Sequence, residues 1–251
     1  LVLLCENETG YRNLIKLVSR SFTEGFYFKP RIDRELLKEH SEGLIVLSAC
    51  LAGEVPRALS RNDYAQAKEA AQFYLDVFGP EHYFIELQNH GIHEQQRILP
   101  DLVRLAKELQ VGLVATNDCH YLKKEDSATQ KILICIQTNH TLEEDNGMEF
   151  ETQEFYMKSR SEMFAAMREC IGDESVIEQA LDNTVKIAVM WSLCSDTTSC
   201  RVLKCRTARI MSPSFGKNAM KVFIGIMAAI RQQNMPNAWS MSFRLSRRWG
   251  M

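Results

Sequence analysis

Asp118 and His120 stand two positions apart near the middle of the sequence. In an extended segment that spacing sends both side chains to the same side. A carboxylate and an imidazole together make half a coordination shell for Zn²⁺, Mn²⁺ or Fe²⁺. Such an ion lowers the pKa of a bound water and polarises a phosphoryl group. Two further donors follow apolar runs in the same way: Cys50 in Ser48-Ala49-Cys50 and His90 in Gln88-Asn89-His90-Gly91. A metal site formed by Cys50, His90, Asp118 and His120 is therefore one expectation. Each residue also has a plainer role. Asp118 is placed to cap the turn into the next helix, Cys50 to fill core space, and His90 to sit in a turn before Gly91. No glycine-rich phosphate loop, Ser/His/Asp arrangement or paired-Asp motif is present.

These residues need strands to present them. Leu1 to Leu4, Leu44 to Ser48, Tyr83 to Leu87 and Gly112 to Thr116 read as short buried strands. Between and after them, apolar residues at helical spacing predict helices over Glu8–Phe22, Arg34–His40, Ala65–Phe78, Gln95–Leu109 and Asp126–Gln137. Strands of about five residues alternating with helices predict a parallel α/β sheet, either a barrel or an open doubly wound sheet. In both, the strand ends bearing Cys50, His90 and Asp118/His120 converge on one edge. After Thr138 the alternation stops. Thr141 to Met148 is acidic and loop-like, Phe150 to Met157 alternates apolar residues, and Glu162–Cys170 and Glu174–Ala188 read as two closing helices.

The composition, 45% hydrophobic and 25% charged over 251 residues, is that of an ordinary globular chain. No apolar run is long enough to span a bilayer. The opening Leu1-Val2-Leu3-Leu4, with no basic residues before it, reads as a cut edge rather than a signal peptide. Eight scattered cysteines without a CxxC pair suit reduced thiols. The net charge of -2 conceals an asymmetry. From Val189 to Met251 there are 10 Lys+Arg and one acid, Asp196; the preceding residues hold 20 basic and 31 acidic side chains. All 3 Trp and 7 of the 11 Met also fall in that last segment. This marks a boundary at residue 188.

Several strings in order, NETGYRNLIKLVSRSFTEGFYFKPRID, HSEGLIVLSACLAGEVPRAL, FIELQNHGIHEQQRILPDLVRLAKEL, VATNDCHYLKKEDS, ICIQT and EFYMKS, resemble the PHP (polymerase and histidinol phosphatase) region of bacterial DNA polymerase III alpha subunits. The resemblance covers residues 1–188, read as a partial PHP domain. It implies a distorted (β/α)7 barrel with metal ligands at its strand ends, to which Cys50, His90, Asp118 and His120 correspond. A His-x-His, a further His and a Glu of the family would precede Leu1, leaving the site for Zn, Mn or Mg incomplete here. The palm, fingers and DNA-binding modules would follow Met251. The implied parent is a cytoplasmic DNA-directed DNA polymerase, a nucleotidyltransferase of DNA replication. Its implied partners are DNA, the sliding clamp, the proofreading subunit and the clamp loader. The alternatives are a metal-dependent phosphoesterase or 3'-5' exonuclease of the PHP type, and a DNA-binding or subunit-docking module.

Beyond Ala188 the family pattern vanishes. Back-translating Met235 to Met251 and reading from the third base permits AERLEYELSVIEAMGY, which resembles the family's next helix. The same shift permits RFKVPDGQDY over Arg201–Met211 and RKKCYEGLYR over Gly216–Gly225. Residues 189–251 therefore read as a poorly ordered, out-of-frame tail, which accounts for its charge, Trp and Met content without a function. The alternative is a basic tail that binds nucleic acid through Arg244, Arg247, Arg248 and Trp249. Resequencing the coding DNA is expected to show a frame-shifting insertion or deletion near the codons for Ala188 to Met190. A verified uninterrupted frame, with the same protein recovered from cells, would remove the frameshift.

Overall fold

A computed structural model describes residues 1–142 and 150–190; the expected acidic loop and out-of-frame tail lie almost wholly outside these residues. Strand β1 (Val2–Cys5) leads into helix α1 (Glu8–Thr23) and a short α2 (Arg34–Glu39). Strand β2 (Leu44–Leu47) is followed by α3 (Glu54–Ser60) and α4 (Tyr64–Phe78). Then come β3 (Tyr83–Leu87), α5 (His93–Leu109) and β4 (Gly112–Ala115). A 3₁₀ turn precedes α6 (Ser127–Thr138), and α7 (Arg160–Arg168) and α8 (Glu174–Met190) close the described chain.

Local chemistry starts the helices. Asn7, Asp33 and Asp63 each accept a backbone N–H three residues on, and Ser159 and Glu162 form a reciprocal cap at α7. Pro56 sits in the first turn of α3, where its missing N–H has no intrahelical acceptor to lose. The sequence reading passed over α3 because seven residues are too few to show a period.

The sheet order is β1-β2-β3-β4. Strands β2, β3 and β4 are parallel as expected, but β1 is antiparallel to β2. Cys5 lies opposite Leu44, so the excursion through α1 and α2 returns to the end it left. The described residues form four strands, and closure into a seven-stranded barrel is not reached among them. Phe150 to Met157, read as alternating, contributes only an isolated bridge, Tyr121 to Tyr156.

Side-chain alternation splits the sheet between two cores. Val46, Tyr83, Ile85, Leu87 and Leu113 pack under α3, α4 and α5, while Ile45, Leu47, Phe84 and Val114 meet Ile187 of α8. Helix α8 also closes the β4 edge. Thr116 N–H reaches Leu87 O, so by strand alternation Leu113 and Ala115 turn their carbonyls outward. Asn183 Nδ2 donates to Leu113 O (2.7 Å) and Thr184 Oγ1 to Ala115 O (2.6 Å).

Helix α1 meets the turn before β2 at close backbone range, and Asn13 Nδ2 donates to Glu42 O there (3.0 Å). A Cβ at Gly10 would lie 1.8 Å from Gly43 O, and Gly43 has φ +73°. Gly10→Ala is expected to lower stability by about 1–3 kcal/mol through overpacking, read as the shift in a urea midpoint. An unchanged midpoint would show that α1 can move off this turn.

Candidate functional site

Strand register brings the ends of β3 and β4 level, while Leu47 at the end of β2 lies opposite Phe84. Leu87 lies opposite Ala115, and Ser48 N–H donates to Phe84 O (3.1 Å). The residues just past β2, β3 and β4 therefore emerge at one edge, the place where parallel α/β folds build sites.

Glu86, 5% exposed, stands on the same sheet face as Phe84. Its Oε1 accepts from Gln88 Nε2 (2.9 Å) and from the Thr116 hydroxyl, and its Oε2 accepts Ala49 N–H (3.1 Å). Its own N–H donates to Ser48 Oγ (2.8 Å). Burial pushes the Glu86 carboxyl pKa up, and the hydrogen bonds oppose that push without reversing it. Ala49, held at φ +68°, turns the chain sharply just before Cys50. Cys50 is an exposed free thiol that lines a narrow cavity with Glu86, Gln88 and Gln95.

His90 is almost wholly buried. Gln95 Oε1 accepts the His90 backbone N–H (2.9 Å) and faces Nδ1 at 3.3 Å, which assigns the ring proton to Nδ1. Nε2 then accepts the backbone N–H of Asp118 (3.0 Å). Both ring nitrogens are engaged. Phe155 stacks on the ring at 4.8 Å with the planes 2° apart. Burial first, then the charge of Lys158, lowers the His90 pKa to about 4, against the opposing pull of Asp118 and Gln95.

Asp118 and His120 do meet, with Oδ2 and Nε2 3.1 Å apart. His120 N–H donates to Phe155 O (2.8 Å), and the ring lies 4.6 Å from Phe150 and 5.4 Å from Phe155. Phe155 thus contacts both imidazoles. Lys158 is buried beside this cluster, bonded to the Glu154 carbonyl and 3.3 Å from its carboxylate, with Nζ 4.2 Å from the Tyr156 ring centre. Burial lowers its pKa and raises that of Cys119 to about 11.

The four sequence candidates therefore share one rim but not one focus. Asp118 and His120 face each other, His90 turns Nε2 to a backbone N–H, and Cys50 lines a cavity with Gln95. Among the described residues no three of His, Cys, Asp and Glu gather closely enough to hold a metal. A resident Zn²⁺ takes three or four protein ligands. The donors as placed do not fit one.

Sequence reading missed Glu86, Gln95, Thr116, Phe155 and Lys158. Glu86 had a signal, being the lone acid inside an apolar strand. Phe155 and Lys158 lie in the string EFYMKS, but nothing local to it says that they pack against His90 and His120.

The His90 shift sets a pH dependence. In the unfolded chain the imidazole titrates near 6.5, and in the fold near 4. Between those values the unfolded chain binds more protons. This contribution is therefore complete above about pH 6.5 and is lost as pH falls toward 4, amounting to roughly 3 kcal/mol. His90→Gln is expected to flatten that slope in urea titrations between pH 4 and 7. An NMR midpoint for His90 near 6.5 would show that its ring is not held neutral.

The family model described as the PHP domain matches residues 1–90, taking in Cys50 and His90 and stopping before Asp118. The chain is 48% identical to the DNA polymerase III subunit alpha of Treponema pallidum over 163 residues, 65% of this chain and 14% of that protein. It is 44% identical to the subunit of the same name in Borreliella burgdorferi over 188 residues, 75% of this chain and 16% of that protein. Against the Thermus aquaticus subunit it is 44% identical over 191 residues, 76% of this chain and 15% of that protein. The match thus spans about one seventh of the length of these relatives.

Proposed function

We propose, from the premise that residues 1–90 carry a PHP domain and three quarters of the chain is similar to DNA polymerase III alpha subunits, that this chain is the PHP piece of a replicative polymerase subunit. Its role is structural, without nucleotidyl transfer of its own. Residues 1–188 form the domain and 189–251 the out-of-frame tail. DNA-templated nucleotidyl transfer belongs to the parent, a cytoplasmic protein working on DNA with the clamp, clamp loader and proofreading subunit. Among the described residues no helix is long and apolar enough to cross a membrane.

The observation behind this reading is the strand-end rim. Ligand-type residues gather at one edge, as in a PHP site, yet His90 is committed to Gln95 and to the Asp118 backbone. A second reading, a metal-dependent phosphoesterase or 3'-5' exonuclease, draws support from the facing Asp118 and His120 side chains. It requires His90 to give up its bonds to Gln95 and to the Asp118 backbone, so that it and Cys50 could complete a ligand set for Zn, Mn or Mg. A DNA-binding or subunit-docking module is the third.

Metal analysis of the purified chain, with and without Asp118→Ala, separates the first two. The structural reading expects well under one equivalent of Mn²⁺ or Zn²⁺ and no release of nucleotides from a DNA 3' end. One bound equivalent, with nucleotide release abolished in Asp118→Ala, would replace it by the enzyme reading.

A further inference from the structure

Phe22 near the end of α1 is followed by Phe26-Tyr27-Phe28-Lys29-Pro30-Arg31. Four aromatic side chains here face solvent: Phe22 at 48%, Phe26 at 57%, Tyr27 at 65% and Phe28 at 81% exposure. Tyr27 N–H donates to Lys29 O (3.2 Å), closing a tight turn with Phe28 at its tip. Phe28 has φ +59°, a conformation that bulky side chains avoid. The rings are organised. Phe22 and Phe26 lie 6.4 Å apart and 24° from parallel, and Tyr27 meets Phe28 edge-on at 4.6 Å.

The charges around the turn divide unevenly. Arg20 is committed to Glu24 (2.9 Å) and Glu39 (3.5 Å), and Arg34 to Glu54 (2.6 Å). Among the described residues Lys29 and Arg31 are in no ion pair, and Arg31 lies over the Tyr27 ring at 5.5 Å. Exposed ring faces therefore stand beside two cations that are in no ion pair among the described residues.

The geometry points to a binding site for single-stranded nucleic acid on this turn, with bases stacked on Phe26, Tyr27 and Phe28 and phosphates against Lys29 and Arg31. Aromatic faces flanked by basic side chains are what unpaired bases and their backbone require. A purely apolar protein partner would bury Lys29 and Arg31 without a counter-charge, which is costly. A duplex keeps its base faces inside the stack. An anionic polymer with open π faces satisfies both halves of the surface. The site stands on this turn alone and does not depend on the strand-end rim or on the parent subunit's activity.

The test uses the whole chain and a fluorescent oligothymidylate of about 12 nucleotides, followed by anisotropy. Tyr27→Ala/Phe28→Ala is expected to weaken binding about tenfold or more, and an abasic oligomer of equal length to bind the native chain correspondingly weakly. Lys29→Ala/Arg31→Ala is expected to reduce the slope of log affinity against log salt by about 1.4, two phosphate contacts' worth on a single strand. Photocrosslinking with 5-iododeoxyuridine should mark the peptide holding residues 26–28. Because these side chains are exposed, the variants should keep the native melting profile. Absence of binding, equal binding by the abasic oligomer or the aromatic variant, or crosslinks confined to residues beyond 190 would each overturn the assignment. So would self-association that the aromatic variant abolishes in a chain that binds no oligomer, since the occupant would then be a second copy.

Discussion

A carboxylate buried in a sheet is costly unless its oxygens are satisfied, and Glu86 meets that demand with groups from three places in the chain. Ala49 N–H comes from the turn after β2, the Gln88 amide from the end of β3, and the Thr116 hydroxyl from the end of β4. Ser48 adds a fourth tie by accepting the Glu86 N–H. Regular strand structure stops at Leu47, Leu87 and Ala115, and beyond those residues this carboxylate is a tie that all three ends share. Three donors aimed at it favour the ionised form, while burial favours the neutral one. The upward direction of its pKa says that burial outweighs them.

The rim is covered by chain that has no regular structure. Thr152 Oγ1 donates to His90 O, Phe155 O accepts His120 N–H, and Tyr156 O accepts Asn117 Nδ2 (2.9 Å). Each contact fastens this irregular segment to a different strand-end residue. Phe155 adds a ring face to His90 and an edge-on contact to His120. The two imidazoles consequently occupy different surroundings. One is buried, neutral and doubly hydrogen-bonded, and the other faces a carboxylate near the surface.

What the sequence made legible follows the range of each interaction. Helix starts at Asn7, Asp33, Asp63 and Ser159 depend on a neighbour three residues away, and the polar residue at each start is visible in the chain. The meeting of Asp118 and His120 is a matter of two residues and was equally readable. The direction of β1 was not, because it is decided by pairing Cys5 with Leu44 across two helices. The state of His90 was also hidden. One ring partner, Gln95, is five residues away on a helix, and the other is a backbone N–H 28 residues on. Residue type suggested a ligand, and tertiary placement gave the ring nitrogens other work.

The seal on the β4 edge has a consequence in time. Ala115 O waits for a hydroxyl from Thr184, 69 residues later in the chain. At roughly 5–20 residues per second of synthesis, those 69 residues take about 3–14 s to be made. Throughout that interval the nascent sheet presents an open row of carbonyls, available to any passing strand. Prompt arrival of α8 is thus a matter of quality control on the ribosome as well as of final stability.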